Sequence, residues 1–190
     1  MYNSLSRLPS IGYNILVYLA RSPQAEDLWK MLKYNTYDCL SHENLSFDEK
    51  LSLIWKTGKQ EQYSIFLTPL IEDGITESKT IIKIYDYYIM DNEPYLSSVV
   101  FAFDCLYGGN MSLIDYKGIP ASRGDVFIHT ILATLNGAEI GGVGKFSFVS
   151  DLTRYNLAKA TIGNAKTFTG VQIFLSTKMG DTGVLSPCND

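Results

Sequence analysis

The stretch from Leu96 to Tyr107 constrains the fold more than any other part of the chain. Val99, Phe101, Phe103, Cys105 and Tyr107 alternate with Val100, Ala102 and Leu106, so both sides of an extended strand are apolar. Such a strand must be covered on both faces, which predicts a central place in a sheet. Asp104 interrupts one face. A buried carboxylate there needs a partner, and Arg123 or a backbone group is the expected one. Thr80 to Met90 is a second long β-rich run, joined to the first through Asp91-Asn92-Glu93-Pro94.

Helical spacing dominates the first third. Ile11, Ile15, Leu16, Tyr18 and Leu19 share one face, and Arg21-Ser22-Pro23 breaks that helix. Ser22 is the expected N-cap of a second helix, with Pro23 at its first position. That helix carries Ala25, Leu28, Trp29 and Leu32 on one side. Ser46-Phe47-Asp48-Glu49 is a capping-box pattern opening a third helix, which Gly58 is expected to end. Tyr63 to Leu67 reads as a short strand cut off by Pro69, and Ile71 to Lys79 as a polar loop turning at Asp73-Gly74.

Beyond the long strands, a Gly-containing connection leads to a helix capped by Ser122, with Asp125 in its first turn. Ile128, Ile131, Leu132 and Leu135 follow at helical spacing, and Asn136-Gly137 supplies the stop. Strands are expected over Val143–Val149 and Val171–Thr177, separated by a mixed segment from Ser150 to Gly170. The expectation is one α+β domain over 1–178: a mainly antiparallel sheet packed against one long helix, preceded by an N-terminal helical region. The helices occupy about 11–57, the core about 62–178, and residues 179–190 form a flexible tail.

Function classes can be excluded from charge and motifs. The net charge of −4, with Lys and Arg dispersed, argues against a protein that grips phosphate backbones along its length. Three widely spaced cysteines, Cys39, Cys105 and Cys188, suggest neither a disulfide framework nor a zinc site, and Cys105 is expected in the core. No signal-like leader and no apolar run of membrane-spanning length occurs, so a reducing cytoplasm is the expected place of synthesis. Gly141-Gly142-Val143-Gly144-Lys145 falls short of a phosphate loop, because Glu139 and Phe146 stand where glycine and a hydroxyl residue belong. His42 and His129 have no metal-spaced partners. Arg123-Gly124-Asp125 spells an adhesion tripeptide but falls at a helix start. No catalytic, cofactor-binding or metal-binding residue is assigned, and the chain is expected not to be an enzyme.

A broader likeness rests on Asp27-Leu28-Trp29-Lys30-Met31-Leu32-Lys33-Tyr34, on Asp38-Cys39-Leu40, and on the phrase from Leu45 to Ile54. The strand Thr80 to Tyr85, the strand Val99 to Cys105, a long helix near Arg123 and two closing strands complete the order. Over residues 5 to 178 this organisation resembles the neck and tail-completion proteins of tailed bacteriophages, which include tail terminators and head–tail joining proteins. The resemblance implies a structural virion protein at the head–tail junction. It implies a ring of identical subunits around the DNA channel, stacked on other neck, portal or tail proteins. DNA would pass through without specific binding, and no membrane is involved. Interface contacts are then expected from the Ile71–Lys79 loop, with Glu72 and Asp73 toward the channel, and from the Ser150–Gly170 segment, with Arg154 and Tyr155. Two alternatives stand beside this reading. One is a binding module recruiting a partner through its 13 tyrosines; the other is a small enzyme whose site gathers Asp104, His129 and Arg123.

Overall fold

In the computed structural model, residues 5–69, 79–93, 96–149 and 168–180 are described, residues 91–93 by their backbone alone. The doubly apolar run becomes strand β3 (Leu96–Gly108), flanked by β2 (Ile81–Glu93) and β7 (Phe168–Gly180), both antiparallel to it. Two short strands, β1 (Ile65–Phe66) and β6 (Ser147–Phe148), complete the order β1-β2-β3-β7-β6. The central position expected for β3 is therefore observed.

Helices cover one face of the sheet. They are α1 (Leu8–Arg21), α2 (Glu26–Lys33), α3 (Phe47–Ser52) and α4 (Arg123–Leu135). Ile15, Leu19, Trp29 and Ile131 meet Val99, Phe101, Phe103, Cys105 and Tyr107 in one continuous core. The opposite face carries two smaller clusters. Phe66, Ile81 and Leu106 form one; Val100, Ala102 and Phe174 form the other. The two-sided reading of β3 thus holds residue by residue, and burying this strand on both faces is a main stabilising contribution.

Several expectations need correction. The class is α+β, but the sheet is mixed, because β1 runs parallel to β2 through Ile65–Ile82 and Phe66–Lys83. The sheet is not packed against a single long helix: α1 spans 14 residues and α4 spans 13. Ser22 does not cap with its side chain; its hydroxyl donates back to the Tyr18 carbonyl at 2.8 Å, which satisfies it within the preceding turn. The third helix stops at Ser52, well before Gly58, since the Leu53 carbonyl and the Trp55 N–H are taken by the chain around Ile65. Its capping box is as expected, with Ser46 and Glu49 bonded reciprocally.

The connection before α4 is a hairpin, β4 (Leu113–Tyr116) with β5 (Ile119–Ser122). Lys117 and Gly118 both take positive φ, 58° and 85°, which is the turn geometry that closes a two-residue hairpin. On α4 the buried face is turned from the expected one. Phe127, Ile131 and Leu135 are buried beside Thr130 and Thr134, while Ile128 and Leu132 are only half-buried. Thr134 donates its hydroxyl to the Thr130 carbonyl at 2.8 Å, so these threonines enter the core without an unmet polar group. The strand expected over Val143–Val149 narrows to two residues, and β7 runs three residues past the expected Val171–Thr177 at each end, through Met179 and Gly180.

Candidate functional site

The two edges of the sheet are unequal. Strand β1 covers only Ile82 and Lys83, so from Ile84 onward β2 has no second strand beside it among the described residues. Along that edge Tyr87, Tyr88, Ile89 and Met90 are 51%, 52%, 36% and 41% exposed. The register shifts between Asp86 and Tyr88, a bulge that places Tyr87 over the opposite face, its ring 4.9 Å from that of Phe174. Val100, Ala102, Phe174, Tyr85 and Val149 continue the apolar surface inward. An edge with no second strand beside it among the described residues and with large exposed apolar side chains is a template for another strand.

Between the two apolar clusters of this face lies a closed polar network. Register aligns Lys83, Asp104 and Gln172 in one row across three strands. Lys83 Nζ sits 2.9 Å from Asp104 Oδ2, Gln172 Nε2 donates to Oδ1 at 2.6 Å, and the Tyr85 hydroxyl donates to Oδ2 at 3.1 Å. Burial, and then the Asp104 charge, push the Tyr85 hydroxyl well above the ordinary tyrosine range. Its proton is held for donation. The carboxylate expected to meet Arg123 or a backbone group is thus paired with Lys83, because even-numbered β3 residues face away from the helices.

Arg123 is on the other side of the sheet and wholly buried. It has no carboxylate partner among the described residues; its guanidinium is spent on four oxygens from three stretches of the chain, residues 31–36, Thr80 and Met111. Nε donates to the Met111 carbonyl at 2.8 Å and Nη2 to the Thr36 carbonyl at 2.9 Å. Nη1 donates to the Met31 carbonyl at 3.2 Å and the Thr80 hydroxyl at 3.1 Å. Burial lowers its pKa and raises that of the neighbouring Cys39 thiol. Buried in this way, the Arg123-Gly124-Asp125 tripeptide presents no arginine to a receptor.

His129 is exposed on α4, and His42 is exposed in its loop, stacked on Tyr34 with ring centroids 4.0 Å apart. Asp104, His129 and Arg123 do not come together, so the three residues proposed for a dispersed active site form no common centre. The Gly141-Gly142 turn is occupied by protein: Arg7 Nη1 donates to both carbonyls, at 3.1 Å to Gly141. Both glycines take positive φ, 63° and 71°. A phosphate loop would offer N–H groups there; this turn offers carbonyls to a cation.

Glu72, Asp73, Arg154 and Tyr155 lie outside the described residues, as do 70–78, 150–167 and the tail from 181. Lys79, at the end of the expected polar loop, is buried and donates to the Glu61 carbonyl at 2.6 Å and to that of Tyr63. The sequence reading missed the exposed edge. Its signal was four large apolar residues in unbroken succession between Asp86 and Asp91, where a half-buried strand would alternate.

No helix among the described residues is long and apolar enough to cross a membrane, and no group of metal-ligating side chains occurs among them. Neither a curated protein nor a solved structure matches the chain. A family model, YomW, matches residues 25–177, from the turn before α2 into β7. The match agrees with a phage origin, at a coarser level than the neck and tail-completion group. The chain belongs to the YomW family, a protein family of SPbeta-like phage regions of Bacillus.

Proposed function

We propose that this chain is a structural protein of the phage particle, assembling into a ring at the head–tail connection as a neck or tail-completion component. The observation that carries the reading is the edge of β2, where Tyr87 to Met90 stand exposed on a strand that β1 covers at only two residues. Such an edge is normally blunted by charge, proline or a covering element. Left apolar, it favours a strand or sheet edge of another subunit. A ring closes through one repeated, heterologous contact, and an edge strand gives each subunit half of one. The phage family and the order of elements support the same reading. Stacking partners would be other neck, portal or tail proteins, and DNA would pass through the lumen.

Electron micrographs of the purified protein test it. Closed rings with an open centre are the expected result. Single particles of one subunit's size at every concentration would overturn self-assembly. They would favour instead a monomeric module that binds one partner through the same aromatic edge, a reading the exposed tyrosines also support.

A further inference from the structure

At the opposite edge of the sheet a different chemistry collects. Ser147 and Ser176 are register partners, with the Ser176 hydroxyl donating to the Ser147 carbonyl at 3.4 Å. Lys145 lies two residues before Ser147 and Lys178 two after Ser176, so the strand period puts both lysines on the face of that serine pair. Phe146 and Thr177, the intervening residues, are buried on the other side, as the alternation requires. Ser98 joins the row as the β3 partner of Lys178. The two lysines and the three serines line a cleft of about 310 Å³.

Lys145 and Lys178 bring two like charges to one cleft, an arrangement that is unfavourable unless something of opposite charge sits between them. The chain as a whole carries −4, so the pair is not part of a general basic surface. Neither lysine has an ion pair within 4.0 Å among the described residues. Glu139 is the bridge partner of Lys145 and makes none with it. Gly144 brings the strands close enough for this grouping. Its N–H donates to the Lys178 carbonyl at 2.8 Å, its own carbonyl accepts from the Thr177 hydroxyl at 2.6 Å, and a Cβ there would lie 3.1 Å from the Lys178 oxygen.

We infer that this cleft binds a phosphate-type oxyanion, either as the free ion or as a phosphodiester of a nucleic-acid strand. The two ammonium groups supply the charge, and the exposed Ser147 hydroxyl can donate to a further oxygen. The inference stands apart from the ring reading, since a monomer would carry the same cleft.

The test is an amide NMR titration of the full-length protein with inorganic phosphate and, separately, with a short DNA duplex. Saturable shifts centred on Lys145, Ser147, Ser176 and Lys178 are expected with at least one probe. Shifts with phosphate alone would assign a free oxyanion, and shifts with the duplex a phosphodiester. With the duplex, two phosphate contacts predict binding about tenfold weaker at about 200 mM than at about 50 mM salt. The variant K145E/K178E should lose the response while keeping its circular dichroism, and K59E, at another exposed lysine, should keep it. No shift at these residues with either probe, or equal loss in K59E, would overturn the inference.

Discussion

Replacing Arg123 by methionine removes one cation and strands the oxygens it holds. Methionine ends near the level of Nε, so the space of the guanidinium carbon and its two terminal nitrogens is left open and adds a cavity contribution at this wholly buried position. The loss falls on the Met111, Thr36 and Met31 carbonyls and the Thr80 hydroxyl, which lie in different segments of the chain. A buried acceptor left unpaired costs about 1–3 kcal/mol, and part of that is offset because the guanidinium no longer has to be desolvated. Arg123→Met should therefore destabilise the protein by about 3–5 kcal/mol. Arg123→Lys retains the charge but gathers its donors on one nitrogen, so it should recover roughly half of that loss. Urea unfolding followed by tryptophan fluorescence measures both. Trp29 is a suitable reporter, because it is buried with its indole N–H on the Leu19 carbonyl at 3.2 Å. A methionine variant within about 1 kcal/mol of the parent, at unchanged denaturant slope, would refute the account of Arg123 as the tie between these segments.

Three further outcomes follow from the same geometry. Asp104→Ala leaves Lys83, Gln172 and Tyr85 without their acceptor and should cost about 2–4 kcal/mol, whereas the joint change Lys83→Met with Asp104→Leu should cost much less; a double-mutant cycle in urea compares them. Gly170→Ala would drive its Cβ into the Cys105 carbonyl, so the variant should lose more than about 2 kcal/mol, with amide exchange accelerating first along β7. Glu49 is held below its ordinary value of 4.5 by bonds from the Ser46 N–H and hydroxyl. Its contribution to stability is complete above that ordinary value and disappears as pH falls through the lower folded value. Glu49→Gln should flatten this part of the acid limb of a stability-against-pH curve, and an unchanged limb would contradict the capping box as its source.

Much of the fold was legible where a residue's neighbours in sequence are also its reasons. The period of two across Val99 to Tyr107 assigned each side chain to its face, because both faces were apolar enough to leave no other strand position. Ser46 and Glu49 specified their helix start locally. Elsewhere the deciding partner was distant. On α4 the threonines read as polar, yet one bonds to its own helix, and packing against the core then rotates the buried stripe toward Phe127. The parallel seat of β1 depends on β2, seventeen residues later in register, and no period in Tyr63 to Leu67 encodes it. The β4–β5 hairpin was hidden because Lys117 carries no turn signature of its own, although Gly118 does.

The site was less legible than the fold. Asp104 is legible as an acid in need of a partner, but neither Arg123 nor a backbone group is the one it meets: residue 104 shares its face with 100, 102 and 106 and is closed off from the helices. The exposed edge of β2 escaped because exposure of a strand depends on what lies beside it. Among the described residues β1 is the one strand beside this edge, and its two-residue length stops short of Tyr87 to Met90. Both cases share a cause: sequence gives the period of an element, and neighbours in space decide which phase is open.

The central claim is that the β2 edge joins one subunit to the next. The most direct test is the native mass by light scattering of the parent protein beside Ile89→Lys, a change at an exposed position that puts a charge on the edge, with circular dichroism to show that the variant keeps its fold. The account predicts a parent mass that is a fixed multiple of 21.3 kDa and a variant that runs as a single folded subunit. A variant that assembles to the same multiple as the parent would contradict it.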